Sequence, residues 1–167
     1  MTNYEYFKKD IIITGKHADY VDALWKQNQI QQSYFKRLVD LCTIAPVIGL
    51  RARHKVKANS EGDNKRTVQL QQIMTRREDL ITILQMIILL DEGDGLTIEQ
   101  KVDRAFRGPE DEAEFKKDTD LFDQYLLGGI EILYDELFKR SLSMDDEYSD
   151  LKVGNIIALL NKPFEVI

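Results

Sequence analysis

Apolar positions recur at helical spacing along most of this 167-residue chain, and the pattern predicts a succession of helices. Residues 1–14 read as an N-terminal extension with a single β-like triplet, Ile11, Ile12 and Ile13. Thr14 and Gly15 precede a first helix over about Lys16 to Gln27, with Ala18, Val21, Leu24 and Trp25 on one face. Ser33 is the expected N-cap of a second helix. There Phe35, Leu38, Val39, Cys42 and Ala45 form one stripe and Leu41, Ile44 and Ile48 a neighbouring one, which predicts a central helix. Pro46 is expected to kink it or end it early, because its ring removes a backbone donor and crowds the preceding turn.

The polar run Ala58–Asn64 reads as a loop, and a long third helix is expected from about Thr67 to Asp91. Leu70, Ile73, Met74, Leu80, Ile81, Leu84, Ile87 and Ile88 carry its stripe, interrupted once at Arg77, until Glu92–Gly95 stops it. Thr97 stands three residues before Gln100, a capping box that opens a short helix closed by Gly108 and Pro109. The acidic stretch Glu110–Glu114 starts a further helix, its carboxylates at the favourable positive end. That helix is expected to break near Asp118 and to run to about Arg140, with Phe122, Leu126, Ile130, Leu133 and Leu137 on one face. Within it Gly128 and Gly129 each cost ~1 kcal/mol relative to alanine, so close approach of another helix is the expected reason for them. Ser149 or Asp150 caps a last helix with Val153, Ile156, Ile157 and Leu160 inward, ended by Asn161 and Pro163. The expected fold is an all-α, single-domain bundle of five to six helices over residues 1–167, with one short extended segment at its N-terminus.

Composition narrows the class. With 9 glycines and 3 prolines the chain is poor in turn residues, which argues against an all-β fold. The one cysteine, Cys42, excludes an internal disulfide, and with two histidines it excludes a cysteine-rich zinc site. It suits a reducing compartment. The longest apolar run, Ile83 to Leu90, is broken by Gln85 and falls short of the ~18 residues of a membrane span. The first residues lack the pattern of a secretory leader, so the expected location is cytoplasmic, away from membranes.

The formal net charge of −6 conceals a division. Residues 1–80 hold 14 basic and 9 acidic side chains, a net of +5, and residues 81–167 hold 9 and 20, a net of −11. Arg51, Arg53, Lys55, Lys57, Lys65, Arg66, Arg76 and Arg77 fall between positions 51 and 77 against only Glu61 and Asp63, with His54 among them. The second and third helices, joined by a short loop, are expected to run antiparallel, so the 51–57 and 65–66 groups share one end beside a helix N-terminus. That arrangement suits a phosphate or another polyanion. No aromatic residue interleaves with the cluster, so a nucleic acid would be held by its backbone rather than by base stacking. A solvated helix end is the competing reading.

Other candidates are weaker. Arg104 and Arg107 lie one turn apart around Phe106 as a second anion clamp, in competition with pairing to Asp103 or the acidic stretch. His17 is placed to contact Asp19 or Asp22, and His54 among cations is expected to stay neutral. Asp91, Glu92 and Asp94 do not make a calcium loop, since the third and fifth positions from Asp91 are Gly93 and Gly95. No HExxH, phosphate-binding glycine loop, dinucleotide fingerprint or glycine-flanked nucleophilic serine occurs, so no metal, cofactor or catalytic residue is assigned.

Four short strings occur together: Gly15-Lys16-His17-Ala18, Phe35-Lys36-Arg37-Leu38-Val39-Asp40, Arg104-Ala105-Phe106-Arg107 and Gly128-Gly129-Ile130-Glu131. In these, under a fifth of its length, the chain resembles uncharacterised small bacterial helical proteins associated with phage-defence or DNA-modification gene clusters. The resemblance implies a bacterial accessory protein and transfers no active-site residue.

The leading expectation is a non-catalytic helical interaction or accessory protein of a larger prokaryotic assembly, linked to phage defence or DNA processing. Its partner would be another protein or further copies of itself. Direct nucleic-acid binding through residues 51–77 is the alternative, and an enzyme of unrecognised class, with carboxylates gathered from several helices, is the third. Association through the oppositely charged halves would be head to tail and could build open chains.

Overall fold

The computed structural model describes residues 4–29, 33–139 and 151–163. Among these the chain is predominantly helical, with seven α-helices, but it also holds one two-stranded antiparallel sheet. The fold is therefore not all-α, and the helix count exceeds five to six.

The sheet explains both departures. Strand β1 (Ile11–Thr14) pairs with β2 (Lys65–Val68), Ile11 opposite Val68 and Thr14 opposite Lys65. Four successive β-branched residues in β1 favour a pleated strand, and Ile13 and Val68 bury while Ile12 points to solvent. Residues 65–68 give their backbone to this pairing, so the long third helix cannot begin there. Gln69 remains extended, and the helical stretch after it is split at Thr75–Arg76 into α3 (Leu70–Met74) and α4 (Arg77–Leu90). Of the expected apolar stripe Ile73, Leu80, Leu84, Ile87 and Ile88 are buried, whereas Leu70 and Met74, both on the short α3, are exposed.

Helix α1 (Lys16–Leu24) ends at an extended Trp25, earlier than expected. Ser33 caps nothing. Its buried hydroxyl accepts from the Lys26 amide at 2.7 Å and lies 3.0 Å from the carbonyls of Lys26 and Gln29, closing the turn behind α1. Helix α2 (Leu38–Arg51) instead starts after an extended Arg37, whose guanidinium donates to both oxygens of Asp40 at 3.1 and 2.8 Å. It continues through the buried Pro46 and stops at Ala52.

Helix α5 (Ile98–Arg107) has the Thr97–Gln100 capping box and ends at Gly108, whose φ of 87° favours glycine. Helix α6 (Glu112–Leu133) is capped by Asp111, which accepts from the Glu114 amide at 2.7 Å. It runs without a break through the fully buried Asp118 and passes into a π-helical turn, Tyr134–Lys139. The expected end near Arg140 and the cap at Ser149 or Asp150 lie outside the described residues.

Helix α7 (Leu151–Asn161) reverses its expected orientation. Asn155 and Leu159 are buried, whereas Val153, Ile156, Ile157 and Leu160 are exposed. Asn155 donates to the Leu137 carbonyl at 3.0 Å, so α7 seats on the π-helical turn through a narrow face that includes one polar residue.

The molecule is organised about the crossing of α2 and α6, where backbone meets backbone. A Cβ on Gly129 would lie 1.6 Å from the Ala45 carbonyl oxygen. One on Gly49 would lie 2.2 Å from that of Tyr125, and one on Gly128 1.9 Å from that of His54. The glycine pair thus serves close approach, as its cost in helix propensity suggests. Val39, Cys42, Ala45, Leu84, Ile87, Phe122, Leu126 and Ile130 are buried in the core that contains this crossing. Gly129→Ala is expected to cost at least about 3 kcal/mol, because backbone must separate from backbone. Gly154→Ala, with nothing within 4 Å of the added carbon, should gain up to about 1 kcal/mol. Denaturant midpoints of the two variants test this, and an unshifted midpoint for Gly129→Ala contradicts the crossing.

Candidate functional site

The folded chain disperses the basic residues that the sequence groups together. The hairpin that would have gathered them does not form, because Lys65 and Arg66 lie on β2. Arg66 donates to Asp22 of α1 through Nε at 2.5 Å and a terminal nitrogen at 2.7 Å, on the wall of a 680 Å³ cleft that also includes Trp25 and Lys26. Arg76 pairs with Asp40 at 3.5 Å and Asp79 at 3.3 Å, and Arg77 donates to the Tyr6 carbonyl at 3.0 Å. Lys57 and Lys65 are exposed. Arg53, His54 and Lys55 fold back on acidic residues of the C-terminal half.

His54 belongs to a knot around Glu131 of α6. Oε1 of Glu131 accepts from Lys16 Nζ at 2.8 Å and from His17 Nε2 at 3.0 Å, and Oε2 lies 2.8 Å from His54 Nε2. Both imidazoles thus face one carboxylate, and the expected contacts of His17 with Asp19 or Asp22 are not made. Burial alone would raise the Glu131 carboxyl, but the bonds from Lys16, His54 and His17 outweigh it and hold it at about 2. His17 is fully buried, and burial lowers its proton affinity against the opposing pull of Glu131. The knot ties the segment after α2 and the start of α1 onto α6.

A second knot fixes the other side of that segment. Asp91, 4% exposed, accepts from Lys55 Nζ at 2.9 Å and from the Tyr125 hydroxyl at 2.5 Å. Burial, and then this hydrogen bond, raises the Tyr125 phenol. Arg53 reaches Glu92 at 2.8 Å, and Asp94 accepts from the Leu96 amide at 3.0 Å. Beside these pairs a groove of about 510 Å³ opens between α2 and α4. Val47, Leu50, Met86, Leu90 and Tyr125 give it apolar walls, while Arg51, Arg53, Lys55 and Glu92 stand along it. Leu90 is 61% exposed, and the exposed Ile44 lies one turn before Val47 on α2. Arg51, Arg53 and Lys55 are therefore the part of the basic cluster that does converge, and they converge on an apolar groove.

Helix α5 is turned inside out. Its buried face carries Arg104 and Ala105. Arg104 forms an ion pair with the fully buried Asp118, which also accepts from the Tyr6 hydroxyl. Arg107 is spread over Asp103 at 2.9 Å, Glu110 at 3.3 Å and Glu114 at 3.8 Å. The two arginines point to separate partners and do not form a clamp. The apolar residues Ile98, Val102 and Phe106, at i, i+4 and i+8, make the outer face and are 76, 43 and 63% exposed. The spacing is visible in the sequence, but its direction is not: Asp118, fourteen residues on, draws Arg104 inward and so turns the apolar stripe out.

Burial, with a smaller push from Asp123, raises the Cys42 thiol to about 12, so it is no nucleophile at neutral pH. Among the described residues no group of three or more His, Cys, Asp or Glu side chains is placed to hold a metal ion, and no helix is long and apolar enough to cross a membrane. Comparison with protein-family models, with characterised proteins and with solved structures gives no match.

Acid should weaken the fold through the Glu131 knot. The folded carboxyl, at about 2, lies below its ordinary 4.5, so its contribution is complete above pH 4.5 and is lost as pH falls toward 2. His17, lowered from 6.5, adds a loss with the same sign that begins below that pH. Glu131→Gln should cost about 2 kcal/mol at neutral pH by removing charge-assisted bonds, and it should flatten the decline between pH 4.5 and 2. Stability measured against pH checks this, and superposable profiles for the two proteins would remove the knot's role.

Proposed function

We propose that this chain is a non-catalytic helical interaction protein. In this reading it is an accessory subunit of a larger assembly, of the prokaryotic defence or DNA-processing kind that its four short strings suggest. The observation that carries the proposal is the inverted α5. Its two helical turns of exposed apolar side chains follow the spacing by which one helix anchors in a groove of another protein. A contiguous apolar ridge of this kind favours a protein surface that removes it from water. The α2–α4 groove supports the same reading, since its cations lie beside apolar walls and Arg53 and Lys55 already hold carboxylates. A bare phosphate backbone would have to displace the Lys55 pair with the buried Asp91.

Replacing Ile98 and Val102 together by glutamate tests the reading. Both positions are exposed, so the stability should change by no more than about 0.5 kcal/mol. Proteins cross-linked to the wild-type chain in extracts of its host should be lost from the variant. A variant that retains them, or that unfolds, would show the ridge to be ordinary structure.

A further inference from the structure

We infer that α5 of one copy docks into the α2–α4 groove of a second copy, so that the chain assembles head to tail. The inference rests on the interaction reading and names the partner. Both surfaces lie on one molecule, and α4 separates them. Ile81, Leu84 and Ile88 line the cavity beside Phe106, on the face of α4 that meets α5. Met86 and Leu90 line the groove on the opposite face, as their positions on the helix require. The ridge therefore cannot fold into the groove of its own chain, and both surfaces can engage neighbours at once.

Shape and charge agree. Ile98 to Phe106 is a ridge about 12 Å long, at ~1.5 Å per residue. The groove, at about 510 Å³, has ample room for a phenyl ring and branched aliphatic side chains. The ridge is flanked by the exposed acids Glu99 and Asp103, with Glu110 beyond its end; Arg107 bridges Asp103 and Glu110 in solvent, where such pairs exchange partners at small cost. The groove presents Arg51, Arg53 and Lys55 against Glu92 and the buried Asp91. The Arg53–Glu92 pair is largely solvated and so contributes little within one chain, and its arginine can turn to a neighbouring acid at small cost. Because the two surfaces lie on opposite faces of α4, a pair of copies cannot join both contacts at once about a two-fold axis, so growth continues into a ring or an open chain.

Light scattering or sedimentation of the purified chain, read against concentration and salt, tests the inference. The wild-type mass should rise past that of a dimer with concentration and fall back with salt. A ridge variant, Ile98→Glu with Val102→Glu, and a groove variant, Met86→Glu with Leu90→Glu, should each be monomeric alone. Mixed in equal amounts they retain one intact ridge and one intact groove, and should form a dimer and nothing larger. That dimer also shows that both variants are folded. A monomeric wild type, a wild type that stops at a dimer, or a mixture that stays monomeric overturns the inference. If the wild type is monomeric but the ridge variant still loses a host partner, the interaction reading stands and the self-docking falls; if no host protein is lost either, both fall.

Discussion

The structure depends on one constraint, the direct contact of the α2 and α6 backbones. Side chains normally keep helices apart, and here Gly49, Gly128 and Gly129 leave them out over successive turns. The crossing fixes more than the core. Because the His54 carbonyl sits against Gly128, the chain leaving α2 is pressed along α6, and the Val56 amide donates to the Gln124 carbonyl at 3.0 Å. This close passage places His54 beside Glu131 and Lys55 within reach of Asp91. Side-chain positions that look electrostatic in origin are therefore set first by packing.

Given that placement, electrostatics completes the fold. The basic first half and the acidic second half are laid on one another, and the segment after α2 bridges them three times: His54 to Glu131, Lys55 to Asp91, Arg53 to Glu92. Burying such groups costs desolvation, and the pairs that are most buried are those with several partners. Glu131 meets three donors and Asp118 at least two, whereas the exposed Arg53–Glu92 contact is a single bridge. The charges of this chain thus serve chiefly to position one segment and one helix.

Helix α5 shows how such pairing shapes an external surface. An amphipathic helix ordinarily buries its apolar stripe. Here Arg104 and Lys101 face inward, toward Asp118 and Asp94, and the stripe of Ile98, Val102 and Phe106 faces out. The helix is held by its polar face and displays its apolar one. Together with the cation-edged groove across α4, it gives the molecule two surfaces suited to protein contact.

The sequence by itself determined where most of the helices lie and much of what α2, α4 and α6 bury. The stripes of α2, α4 and α6, the Thr97 capping box, the stop at Gly108 and the close-approach role of the glycine pair all come from local rules of spacing and capping. Contacts between distant residues decided the rest. Pairing of residues 65–68 with 11–14 overrode a helical pattern, because cross-strand bonds satisfied a backbone that the local sequence alone would have coiled. The direction of the apolar faces of α5 and α7 was likewise set from outside, by Asp118 and by the Leu137 carbonyl. The basic stretch shows the same division. Its charge is fixed by composition, but whether that charge faces solvent or a carboxylate depends on which acids folding brings within about 3 Å, and hydrophobic periodicity carries no information about that.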